Sequence, residues 1–169
     1  MYKFLLPLIL VSFSSFSSET PENIMQHQEY RDSVELVARL GRTEVIRQAV
    51  NMQREQLEKY GNDVDSHLSV LRTVGSSYAM TQTVKFQLGK MLEQLNKKLS
   101  SKGKSKLTEK DIVKFFAPSG PLYNQQIKIT CTNPSTRGLV DSGIEYITTY
   151  YDQNMNFIDE ITINKSTCI

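Results

Sequence analysis

An α+β fold is what the sequence predicts: an N-terminal antiparallel helical hairpin or bundle, then a small three-stranded antiparallel sheet with one disulfide. Three observations carry it. Apolar residues recur at spacings of three and four through the first hundred residues, the period falls to two after Pro121, and both cysteines, Cys131 and Cys168, stand in that second part.

Residues 1–17 have the make-up of a cleavable secretory signal. Lys3 supplies the positive end, and Phe4 through Phe13 form an apolar run broken only by Pro7 and Ser12. Cleavage after Ser17 places the small residues Ser15 and Ser17 at minus three and minus one. Ten helical residues would cover only about 15 Å of a hydrocarbon layer of about 30 Å, which argues against a retained anchor. No cysteine near the cleavage point could carry a thioether lipid, and no later stretch is apolar enough to span a bilayer. The mature chain is then expected outside the cytoplasm, periplasmic or secreted, and at about 150 residues it can bury one core.

The helical region is expected over 18–100. Thr20 can cap a first helix with Pro21 in its first turn, and Ile24, Tyr30, Val34, Val37 and Leu40 continue a face up to the break at Gly41. From Arg42 to Tyr60 a second face holds Ile46, Ala49, Val50, Gln53, Leu57 and Tyr60, and Gly61-Asn62 stops it. A longer helix is predicted from Asp63 or Asp65 to Leu99, kinked near Gly75-Ser76-Ser77, folding back as the second arm of the hairpin. Its cleanest stripe is Leu88, Leu92, Leu95 and Leu99, which must be covered by this chain, by a second copy in a coiled coil, or by a different protein.

Lys97, Lys98, Lys102, Lys104, Lys106, Lys110 and Lys114 crowd into eighteen residues around a flexible linker at 101–107. With Lys3 removed, basic side chains outnumber acidic ones by one, so bulk charge points to no polyanionic partner. Locally, Lys102, Lys104 and Lys106 favour a weak contact with an anionic surface. No aromatic platform or recognition motif accompanies the run, and nucleic-acid binding is not expected. A short docking helix over 108–117 follows, with Thr108 and Asp111 spaced for a capping box.

The β region is expected over 118–169. Ile127, Ile129 and Cys131 alternate with Lys128 and Thr130 as a first strand; 133–138 reads as polar loop; strands are predicted again near 144–151 and 157–163. An even cysteine pair in an exported chain predicts a Cys131–Cys168 disulfide. Its loop of about 37 residues would contribute about 4 kcal/mol through the unfolded state. One sheet edge is a candidate for strand addition, and Asn164-Lys165-Ser166 matches a glycosylation acceptor.

Candidate chemistry is sparse. His27, Glu29 and Asp32 have the wrong offsets for a ligand face, and Asp63, Asp65, Ser66 and His67 hold the residue types of a triad without a reason for its geometry. Residues 138–143 lack the context of a phosphate loop. No metal or cofactor is expected. The function expected is non-enzymatic: a binding or assembly component of an extracytoplasmic envelope complex with a protein partner. Leu88, Leu92, Leu95, Leu99, Lys102, Lys104 and Lys106 are the candidate contact residues. A secreted effector or inhibitor is the first alternative, and a small extracytoplasmic hydrolase the second.

Overall fold

The computed structural model describes residues 21–63 and 67–168. The secretory signal, Thr20 and the pair Asp65 and Ser66 lie outside the described residues. The chain runs α1 (Pro21–Met25), α2 (Gln28–Leu40), α3 (Arg42–Tyr60), β1 (Leu68–Gly75), β2 (Ala79–Phe86), α4 (Leu88–Ser100), α5 (Glu109–Val113), α6 (Pro121–Thr132), α7 (Pro134–Asp141), β3 (Glu145–Tyr151) and β4 (Phe157–Ile163). The fold is α+β, with N-terminal helices, a small sheet and a Cys131–Cys168 disulfide.

Glycines punctuate the N-terminal helices where the sequence predicts. Gly41 adopts φ 80° and donates its N–H to Val37 O, closing α2 and opening α3 at one residue. Gly61, at φ 85°, closes α3 in the same way onto Leu57 O. Val45, Ile46, Ala49, Val50 and Gln53 form the buried face of α3. Tyr60, expected to continue that face, is 74% exposed.

The long helix expected from Asp63 to Leu99 is replaced by a hairpin followed by a helix. Leu68–Gly75 and Ala79–Phe86 are antiparallel strands, and only Leu88–Ser100 is helical. Gly75-Ser76-Ser77, read as a kink, lies at the turn, where Ser76 Oγ accepts from Ala79 N at 2.9 Å. The β-branched residues Val70, Thr73, Val74, Thr81, Thr83 and Val84 decide for the strand. Their period is hidden because Leu71 falls at a register shift between Val70 and Arg72. The polar residues Thr73 and Gln82 sit on the buried side and blur it further.

After Pro121 two elements differ from expectation in opposite senses. The expected strand at 127–131 is the second half of α6, which has Pro121 in its first turn and buries Gln126, Thr130 and Cys131. Helical offsets of four and one fit those positions, whereas strand alternation fits only Ile127 to Cys131. The expected loop at 133–138 is the start of α7, capped by Asn133, whose side chain accepts from Thr136 N at 2.9 Å.

The sheet is four-stranded and mixed, in the order β1-β2-β3-β4, rather than a three-stranded antiparallel meander. Both outer pairs are antiparallel hairpins, and β2 and β3 pair in parallel across the middle, with residues 87–144 forming the crossover. Parallel neighbours need such a long connection, and four helices supply it. Met80, Gln82, Val84 and Phe86 of β2, Tyr146, Thr148 and Tyr150 of β3, and Ile161 and Ile163 of β4 alternate into the core. Their neighbours Thr81, Thr83, Lys85, Ile147, Thr149 and Tyr151 are only half-buried on the other face.

The disulfide ties α6, not a strand, to the tail beyond β4. Arg137 of α7 reinforces it, donating Nη1 to Cys168 O and Nε to Asp141 Oδ2 at 2.9 Å. Tyr30 of α2 donates its hydroxyl to the same Asp141 oxygen at 3.0 Å. Burial and the Asp141 carboxylate both push the Tyr30 phenol above its usual range. Gly138 is where α7 meets α2: a Cβ there would stand 2.6 Å from Tyr30 O and 2.9 Å from Ser33 Cβ.

Candidate binding cavity between α4 and α6

A predominantly apolar cavity of about 150 Å³ opens between α4 and α6. Its inner wall is an aromatic stack shared by three parts of the chain. Phe116 meets Phe86 edge-on, with centroids 5.1 Å apart, and Tyr150 at 4.8 Å. Leu68, Met91, Leu95, Leu122 and Ile129 complete the apolar lining. The strands place Leu68, Phe86 and Tyr150 on the inner side of the sheet, while Gly120 lets the chain turn tightly from α5 into α6. A Cβ at Gly120 would collide with the carbonyl oxygens of Lys114 and Phe115.

Polar groups are confined to the inner end and the rim. Tyr150 donates its hydroxyl to Gln126 Oε1 at 2.8 Å, and Gln126 Nε2 donates to Thr148 Oγ1 at 3.0 Å. Burial pushes the Tyr150 phenol well above its ordinary pKa, with the Gln126 contact opposing that rise, so the ring stays neutral. At the rim, His67 Nε2 and Gln94 Oε1 lie 3.0 Å apart, and Lys98 joins the lining. The lining contains no carboxylate.

The structure only partly gathers the contact residues that the sequence suggests. Leu88 is 4% exposed and belongs to the core, its N–H donating to Gln153 Oε1 at 3.2 Å. Leu92 and Leu95 are half-buried against that core, and Leu99 is half-buried near the end of α4. Of this stripe only Leu95 lines the cavity, together with Met91, Gln94 and Lys98 from a face of α4 rotated slightly away. Lys102, Lys104 and Lys106 are exposed on the segment between α4 and α5. Asn96 clasps its end, donating Nδ2 to Leu107 O at 3.0 Å and accepting from Leu107 N at 2.6 Å.

No family model matches this chain. No curated protein matches it either. Among solved structures it is similar to a secreted protein of Pseudomonas aeruginosa, at 7% identity and a TM-score of 0.49, covering 85% of this chain and 98% of that one. It is also similar to a pilotin of the type 2 secretion system of Vibrio vulnificus, at 12% identity and a TM-score of 0.48, covering 76% and 96%. A third similar chain is the type II secretion system pilotin of Vibrio cholerae, at 12% identity and a TM-score of 0.43, covering 75% and 95%.

The strongly shifted carboxyl groups lie away from the cavity. Hydrogen bonds from Arg47 and then Gln48 hold Glu44 down to about 2. Asp111 is held down to about 2 by Thr108, through the hydroxyl and the backbone N–H of the capping box, and then by Lys114. Asp152 is lowered by Asn156 and by the backbone N–H groups of its turn. Each is explained by a surface pair, cap or turn, and none faces an apolar pocket as a poised acid would. Asp63 accepts from Ser69 Oγ at 2.6 Å, and His67 Nε2 lies 3.0 Å from Gln94 Oε1. His27 Nδ1 lies 3.9 Å from Glu29 on the surface. Among the described residues no group of three or more His, Cys, Asp or Glu is placed to hold a metal. Among those same residues no helix is long and apolar enough to cross a membrane.

Little in the sequence announces this site. Tyr150 falls in a segment expected as a strand, Ile129 in one expected as a strand and found helical, and Met91 and Lys98 each stand one residue before a leucine of the stripe. Three-way convergence of α4, α6 and the sheet has no local signature.

Proposed function

We propose that this chain is a non-enzymatic binding or assembly component of an extracytoplasmic envelope complex, engaging a protein partner through the outward side of α4 and the lysine-bearing segment behind it. The observation that carries this reading is the apolar cavity beside α4, open between two helices and bordered by the exposed Lys98, with the exposed Lys97 and Lys102 close to it in sequence. Such a concavity offers an anchor point for one bulky apolar side chain, and the lysines offer a rim that steers an acidic surface toward it. The polar groups at its inner end are committed to one another, which suits binding better than proton transfer.

Site-specific photocrosslinking in the native host tests this. A crosslinking residue at Gln94 or Lys102 is expected to trap one discrete protein species, while the same residue at Glu55, on the exposed side of α3, traps none. Equal trapping at the three positions, or none at any, would overturn the reading. A second copy of this chain as the trapped species would assign the face to a homo-oligomer.

A further inference from the structure

We propose that the cavity between α4 and α6 is a binding site for a free medium-chain fatty acid, its alkyl chain inside and its carboxylate at Lys98. The inference goes beyond a protein-docking role and does not rest on it. Size sets the first limit. At about 150 Å³ the cavity matches the apolar cavity, lined by Leu, Ile and Phe, that takes up benzene, so it has room for one ring or roughly six carbons. A two-chain phospholipid or a long acyl chain does not fit.

Charge sets the second. Lys98 is the one formally charged residue in the lining, and no carboxylate stands there to favour a cation. Lys97 and Lys102 flank Lys98 on α4 and just beyond its end, both exposed, so the field at the mouth is positive on this side. The aliphatic walls, Leu68, Met91, Leu95, Leu122 and Ile129, suit a flexible chain, and Met91 can adjust to its shape. Gln126 and Tyr150 at the inner end already satisfy one another, so an alkyl terminus meets no polar group seeking a new partner.

Isothermal titration of the purified mature chain with butanoate, hexanoate and octanoate, against hexanol and hexylammonium, decides the matter. Each methylene buried is expected to tighten binding about fourfold, so hexanoate exceeds butanoate by roughly fifteenfold, and the gain flattens once the cavity is full. Hexanol is expected to bind at least tenfold more weakly than hexanoate, and hexylammonium not measurably. Lys98→Met, at a surface position, should cost hexanoate about tenfold and leave hexanol unchanged. Ile129→Trp, filling the cavity, should abolish both while thermal unfolding confirms a folded chain. Equal affinities for the carboxylate, alcohol and amine would overturn the proposal in favour of an apolar hole for an uncharged side chain. Absence of saturable hexanoate binding would overturn it outright. The crosslinking at Gln94 and Lys102 is read separately, so a failure here and a failure of the docking reading are distinguishable.

Discussion

The two hairpins of the sheet are similar in length and built on the same antiparallel pairing, yet they are secured by different means. Residues 68–86 are backed by the helix immediately before them in the chain. Ile46 and Val50 of α3 press so closely on Gly75 that a Cβ there would stand 2.6 Å from Ile46 Cγ2, and Gln82 Nε2 donates to Gln53 Oε1 at 3.1 Å. Residues 145–163 are held instead by covalent and polar ties to α6 and α7: the disulfide to α6, Arg137 on the Cys168 carbonyl, and Gln126 on Tyr150 and Thr148. The first hairpin leans mainly on close packing against α3, with one buried amide pair, and the second on covalent and polar ties. One small sheet therefore contains two kinds of stability that can be perturbed separately.

The largest effect is expected where the two halves share a residue. Phe116 touches Phe86 of the first hairpin and Tyr150 of the second, and it is almost wholly buried. Phe116→Ala should cost about 3–5 kcal/mol in urea unfolding and weaken both hairpins together. Loss confined to one of them would show that the ring is not a common support. Next comes the disulfide. Replacing both Cys131 and Cys168 with Ala should cost about 2–4 kcal/mol. Amide exchange should quicken across β3, β4 and the tail, while β1 and β2 keep their protection. Uniform quickening would erase the distinction between the hairpins.

Gly138→Ala tests the polar side through overpacking. Its Cβ would collide with Tyr30 O and Ser33, and a cost of about 1–3 kcal/mol is expected. A displaced α7 would also loosen Arg137 from Asp141 and Cys168, visible as faster exchange in the tail. The smallest effect belongs to neither hairpin. Thr108→Ala removes the cap of α5 and should cost about 1 kcal/mol. The cap also carries a pH signature. Because Asp111 is depressed to about 2 when folded, its contribution is present above its ordinary carboxyl range and is lost as pH falls from about 4 through 2. The Thr108 and Asp111 amide resonances should shift over that window, with those of β2 and β3 unmoved.

The same division decides what the sequence discloses. β3 and β4 are legible because Tyr146, Thr148 and Tyr150 alternate cleanly with Ile147, Thr149 and Tyr151. α3 is legible because its buried face is continuous and glycines stand at both ends. The first hairpin is not legible, since the register shift at Leu71 breaks the alternation and the buried Thr73 and Gln82 look like surface. α6 is mistaken for a strand because Ile127 to Cys131 alternate over five residues, too short a window to separate the two periods. Of the cavity, only Leu95 among the suggested contact residues survives as lining. Its other walls come from elements whose mutual approach is fixed by the parallel pairing of β2 with β3, for which no local pattern exists.

That parallel pairing also dictates an order of events when the chain folds. Each hairpin closes over a few residues and can form within microseconds, whereas β2 cannot meet β3 until residues 87–144 have been drawn together. In the interval β2 presents a bare row of N–H and C=O groups to whatever lies nearby. Refolding should therefore proceed in a fast and a slow phase, with the pulse-labelled amides of Met80, Gln82 and Val84, which face β3, protected last. Yield should fall with rising protein concentration, because at high concentration the β2 edge of one molecule finds another before it finds its own β3.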